Sequence, residues 1–210
     1  MRFARVFAVC FLAFACLAAA EDKPSTKAAK KAGASDATYI AHALSAAPPA
    51  IRKGAGVVRV ESDGSLHTLR DSKNGFTCLI MMRDRMCGDA NSMEFFNAMM
   101  KKQNPPDKLG ITYMLAGDEG ASNTDPTAEK KTADNHWIVT GPHIMILGPG
   151  VKNMGLPDSP DADPNRPYLM WANTPYAHAM IPVASPPTHA MSSMKSEMKG
   201  DMGAMKCGKK

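Results

Sequence analysis

The sequence predicts one α+β domain, a mainly antiparallel sheet of about six or seven short strands with two helices, flanked by flexible tails. Three observations predict it. Two stretches repeat apolar residues at helical spacing, several short β-rich runs are parted by turn signals, and both ends are Lys-rich without a packable pattern.

The first twenty residues, MRFARVFAVCFLAFACLAAA, set Arg2 and Arg5 before an apolar run and end on Ala18 and Ala20, as a secretory signal peptide does. The run from Val6 to Leu17 falls short of the roughly 20 residues that span a bilayer. Acylation at Cys16 is the alternative, but Ala13, Phe14 and Ala15 lack the leucine of a lipobox. Export to the periplasm or the extracellular space is therefore expected. No further long apolar run follows, so no transmembrane segment is expected after signal removal.

Residues 21–35, EDKPSTKAAKKAGAS, read as a flexible linker, and the globular domain is expected over 36–184. Ala37, Ile40, Ala43, Leu44 and Ala47 recur at helical spacing before Pro48 and Pro49 stop the run. VVRVE, SLHTLR and FTCLIMM follow, joined through Asp-Gly and Asn-Gly signals, and predict a three-strand meander. A second helix is expected over Met93–Lys102, capped by Asn91 or Ser92, with Met93, Phe96 and Met100 on its core face. ITYML, HWIVTGPHIMILGPG and YLMWANTPYAHAMIPV supply four more strands around one long polar loop. Pro186 and Pro187 then open a Met-rich low-complexity tail, 185–210.

Charge argues against nucleic acid. The formal net charge is +5, yet residues 36–190 hold 14 basic and 16 acidic side chains, so the excess sits at the ends and gives no clustered cationic face. Beyond the signal only Cys78, Cys87 and Cys207 remain. In an oxidising compartment a Cys78–Cys87 disulfide closing a short loop is the default, two buried thiols being the alternative, and Cys207 is the odd thiol.

NGFTC, DRMCGDANSMEF, GITYMLAGDEGASNTDP, TGPHIMILGP and YLMWANTPYAHAMIPV together resemble the blocks of a family of exported bacterial proteins of unknown function. The resemblance covers roughly residues 36–183. It implies export and one shared domain, and carries no activity to transfer.

Motifs of common enzymes are missing from the chain: there is no G-x-S-x-G, no H-E-x-x-H and no phosphate-binding glycine loop. Asp161, Asp163 and Asn165 begin a calcium-loop pattern that fails where Arg166 replaces glycine. Asp125, Asp134, His136 and Tyr176 form a candidate catalytic set for a hydrolase-like enzyme, with a solvated polar loop as the plainer reading.

A binding function has the stronger pattern. Histidine is followed two residues later by methionine at His143/Met145, His178/Met180 and His189/Met191. Along a strand such residues share a face, and thioethers select Cu(I) over harder ions. If the first two strands are neighbours, their four side chains could form one site, although methionine also fills ordinary cores. In the tail, Met191, Met194, Met198, Met202 and Met205 fall at three- and four-residue spacing, one stripe if helical, with His189 and Cys207 beside them. The expectation is an exported binding protein with no required cofactor, buffering Cu(I) or Ag(I) through this tail. The tail could instead dock on an envelope protein, and the domain could be a structural module without a ligand.

Overall fold

A computed structural model describes residues 26–184, with side chains from residue 35 onward. The fold is α+β. Helix α1 (Thr26–Leu44) leads through the short α2 (Pro49–Arg52) to strands β1 (Gly56–Val60), β2 (Leu66–Arg70), β3 (Thr77–Met81) and β4 (Asp84–Gly88). Helix α3 (Ala90–Met100) follows, then β5 (Gly110–Met114), β6 (Ala121–Ser122), β7 (Trp137–Ile138) and β8 (His143–Leu147). A 3₁₀ turn (Pro149–Met154), β9 (Tyr168–Met170) and β10 (His178–Pro182) complete it. Eight strands form one sheet in the order β2-β1-β3-β4-β5-β8-β10-β9, while β6 and β7 pair separately.

Four local expectations change. Helix α1 starts at Thr26, inside the stretch expected to be linker, because its Lys and Ala residues are good helix formers. Helix α3 starts at Ala90, capped by the Asp89 carboxylate accepting from Ser92 N at 2.8 Å rather than by Asn91 or Ser92. The first three strands are not a meander: β1 lies between β2, antiparallel, and β3, parallel. Residues 71–76 carry the chain over the end of β1, tied down by Lys73 N to Gly54 O and Gly56 N to Phe76 O. The eight-stranded sheet is also larger than expected, since DRMCG forms β4 through a tight turn with Met82 at positive φ.

The two faces of the sheet bury different cores. One face packs Val57, Cys78 and Cys87 under Ala43, Ala46 and Ala47, and Val151 of the 3₁₀ turn against Ala177 and Ala179. The Tyr39 hydroxyl continues the β1–β3 junction where its ladder stops, donating to Val58 O and accepting from Ile80 N, both at 3.2 Å. The opposite face gathers Leu79, Met86, Met114, Met145, Leu147 and Met180 beneath Phe95 and Phe96 of α3. That helix can approach because Gly88 and Gly110 leave room for Ser92; a methyl group on Gly110 would meet Ser92 N and Oγ at 2.6 Å.

Cys78 and Cys87 are directly opposed on β3 and β4, fully buried and bridged by a disulfide. The bridge closes a ring of ten residues, whose chain-entropy effect is about 2–3 kcal/mol. Urea unfolding of the Cys78→Ala/Cys87→Ala variant should show a loss of that size. An unchanged midpoint would mean that strand pairing alone holds this hairpin.

Candidate functional site

The candidate site lies on the α3 face, where a pocket of about 140 Å³ opens between the sheet, α3 and the 115–140 segment. Its floor comes from five strands: Met86 of β4, Met114 of β5, His143, Met145 and Leu147 of β8, Met170 of β9, and His178 and Met180 of β10. Phe95, Phe96 and Met99 form the α3 wall, with Trp137 of β7 and Trp171, next after β9, also lining the cavity. Eight of the chain's 17 methionines line the cavity, more than any other residue type.

Register explains the arrangement. In antiparallel pairing, opposed residues point to the same face. Strand β8 places His143 opposite Met114 of β5, and Met145 opposite both Thr112 and Met180 of β10. His178 stands opposite Leu147 and, on β9, opposite Met170. HIM and HAM thus sit on neighbouring strands with their methionines opposed. The two histidines are not register partners: His143 faces Pro182, four residues from His178 and roughly 13 Å away along the backbone, but both rings line one pocket and His143 adds to the lowering of His178. Each histidine has methionine neighbours by register and spacing, Met114 and Met145 for His143, Met170 and Met180 for His178.

Both rings are anchored alike. His143 Nδ1 lies 2.7 Å from Gly141 O, and His178 Nδ1 lies 3.0 Å from Tyr176 O. A carbonyl can only accept, so each Nδ1 carries the proton and each Nε2 carries a lone pair. The ring of His178 is further fixed edge-on to Trp171 at 4.8 Å. Burial pushes both imidazoles down to about 4, opposed by the anchoring carbonyls, so they are neutral at pH 7. His143 is fully buried, and no protein group reaches its Nε2.

The mouth has the opposite character. Asp84, Asp118, Glu119, Asp125 and Glu129 line it with Arg83 as the one basic residue, and Arg83 already pairs with Glu119 at 3.0 Å. Asp118 shapes this rim: its Oδ1 accepts from Thr140 N at 2.8 Å and Gly120 N at 3.0 Å, while Asp84 Oδ1 accepts from Glu119 N at 3.0 Å. Burial, helped by the nearby Asp84 charge and opposed by the amide bonds, pushes the Asp118 carboxyl up to about 7. Burial raises Asp84 as well.

The expected catalytic set does not assemble in this cavity. Only Asp125 lines it, exposed and bonded to Thr127 N and Oγ1 at 2.8 and 2.7 Å. Asp134 is exposed, His136 pairs with Asp161 at 2.7 Å, and Tyr176 packs edge-on against Phe95. Tyr176 contributes to the site through its carbonyl, the anchor of His178. His189, Met191, Met194, Met198, Met202, Met205 and Cys207 lie outside the described residues. Among the described residues, no three His, Cys, Asp or Glu side chains cluster as a metal site, and no helix is long and apolar enough to cross a membrane.

Sequence reasoning missed Asp118, Met114 and Met170. GDEG reads as an ordinary solvated turn, and nothing in ITYML or YLMWA announces which methionine will stand beside a histidine. Comparison with protein-family models, curated proteins and solved structures finds no match.

Asp118 has a measurable consequence for stability. Its folded-state pKa is raised, so its contribution is full below the ordinary value of 3.8 and is lost as pH rises through about 7. Asp118→Asn keeps an oxygen for both amide donors and cannot ionise. Urea midpoints between pH 4 and 8 should show this variant gaining on the parent protein as pH rises, with the difference levelling above pH 7. Parallel pH profiles would contradict a desolvated carboxyl at this rim.

Proposed function

We propose that this is an exported binding protein that admits a small, soft or apolar ligand to the thioether-lined pocket. The observation that carries the reading is an interior cavity walled by methionine and aromatic side chains, with two neutral imidazoles in its floor and carboxylates at its mouth. Volume limits the occupant. About 140 Å³ is below the 300–1,000 Å³ of drug-sized ligand pockets and close to the ~150 Å³ engineered cavity that accepts benzene or xenon. The ligand is a single ion or a molecule of a few heavy atoms.

Export rests on the character of residues 1–20, and the Cys78–Cys87 bridge suits an oxidising compartment. A binding role is favoured over the hydrolase-like alternative because Asp134, His136 and Tyr176 do not line the cavity beside Asp125. It is favoured over a ligand-free structural module because a purely structural interior would use the polar imidazoles poorly. In this reading the Met-rich tail, residues 185–210, would be a second soft-metal element.

Xenon tests the pocket without presuming its chemistry. Crystals of the mature protein pressurised with xenon should show one atom among Met86, Met145 and Met180. Ala128→Trp, a substitution in the loop at the pocket mouth, should reduce that occupancy at least fivefold. Empty density in the parent protein, with xenon entering a control protein under the same pressure, would end the reading.

A further inference from the structure

We propose that His143 Nε2, with the thioethers of Met114 and Met145, forms an interior site for a soft monovalent cation, Cu(I) or Ag(I). The inference rests on the reading that the pocket is a binding site, and it names the ligand class.

The hydrogen-bonding groups around His143 are out of balance. Because the Nδ1 proton is given to Gly141 O, Nε2 is an acceptor, yet no protein donor reaches it. Its neighbours cannot supply one. Met114 is directly across on β5, Met145 is two residues along β8 on the same face, and Met180 is opposite Met145. A thioether offers sulfur lone pairs and no proton. All four side chains are buried and line one cavity, so the nitrogen and sulfur lone pairs share one enclosure.

Two kinds of occupant satisfy such an enclosure: a water donating to Nε2, or a Lewis acid accepting from nitrogen and sulfur together. Water serves the imidazole but leaves the sulfurs with a poor partner. A soft cation is matched to both, since thioethers select Cu(I) and imidazole suits it. A single positive charge also costs less to desolvate in an apolar pocket than a double one. The Nδ1–H to carbonyl bond is the outer contact that fixes ring orientation in metal-binding histidines, and it strengthens Nε2 as a donor of electrons.

His178 repeats the pattern with Met170 and Met180, but it is already edge-on to Trp171, and its Nε2 is not among the buried atoms left without a partner. His143 is therefore the first site to fill. The step is plain coordination: no bond breaks, no electron moves, and the aqua or buffer ligands of the incoming ion are released.

The test is silver titration of the full mature chain, carrying Cys207→Ser in every sample so that thiol binding does not intervene, and followed by NMR of ¹³C-methyl methionine. Silver nitrate is added in chloride-free buffer. Methyl signals are assigned by single Met→Leu substitutions, which keep side-chain volume nearly constant. The expected result is that Met114 and Met145 methyl signals shift with the first equivalent. Met114→Leu/Met145→Leu should bind silver in the pocket at least tenfold more weakly while still admitting xenon. Histidine ¹⁵N spectra should show His143 Nε2 moving together with those methyls.

If only the tail methionines respond, or if the double variant binds silver as the parent does, the proposal is overturned. Xenon entry without an interior silver response would overturn this site and leave the binding pocket standing. Failure of both ligands to enter would remove the pocket reading along with it.

Discussion

The register of β8 between β5 and β10 is the constraint on which the interior depends. A slip of one residue would turn His143, Met145 and Leu147 toward the other face and bring Ile144 and Ile146 into the pocket. The register is held at both ends of the strand. Beyond His143, Val183 N bonds Pro142 O; beyond Leu147, Gly148 turns at φ 112°, where a methyl group would collide with Lys108 O. The same ladder fixes Gly110 opposite Leu147, and Gly110 admits α3 through Ser92. Strand pairing, helix docking and pocket shape are one decision.

That decision leaves polar groups where an optimised core would have none. A buried acceptor without a partner costs about 1–3 kcal/mol, and His143 Nε2 is such an acceptor in the midst of methionine and leucine. A leucine at position 143 would fit the apolar face with no such cost. Positions that break the local rule of a core are where a functional requirement overrides stability. The identical anchoring of His178 by its own i−2 carbonyl makes the feature a repeated device of strand entry: in each case the chain arrives from a proline-containing turn and orients the imidazole before the ladder begins.

Much of the fold was legible in the sequence because it was written in periodicity. The core helix before Pro48, the strands at ITYML, HIMIL and HAMIP, and the Cys78–Cys87 pairing followed from spacing, turn residues and compartment. What was not legible depended on tertiary choice. Asp63-Gly64 announced a hairpin correctly, but no local signal shows that β3 will cross over and join the far side of β1. DRMCG was missed as a strand because its alternation mixes charge with sulfur and its turn uses Met82 instead of glycine or asparagine. In the site, the doubled His-x-Met pattern was visible, and its geometry was not. Only the register reveals that the methionines are opposed while the histidines are not, and that further methionines stand opposite the histidines on β5 and β9.

The pocket combines two electrostatic regimes within a short distance, and the combination bears on selectivity. The carboxylates of the mouth favour any cation near the rim and do not distinguish a soft ion from a hard one. Deeper in, oxygen ligands give way to sulfur and neutral nitrogen, where an ion that prefers oxygen would lose hydration without replacement. Asp118 sits at the boundary, its Oδ1 occupied by two backbone amides and its charge weakened by burial. It therefore organises the rim more than it binds an ion. If the pocket takes the proposed soft cation, the rim would concentrate it and the interior would discriminate, so a rim charge and an interior thioether should affect different quantities: the first the rate and salt dependence of entry, the second the lifetime of the bound state.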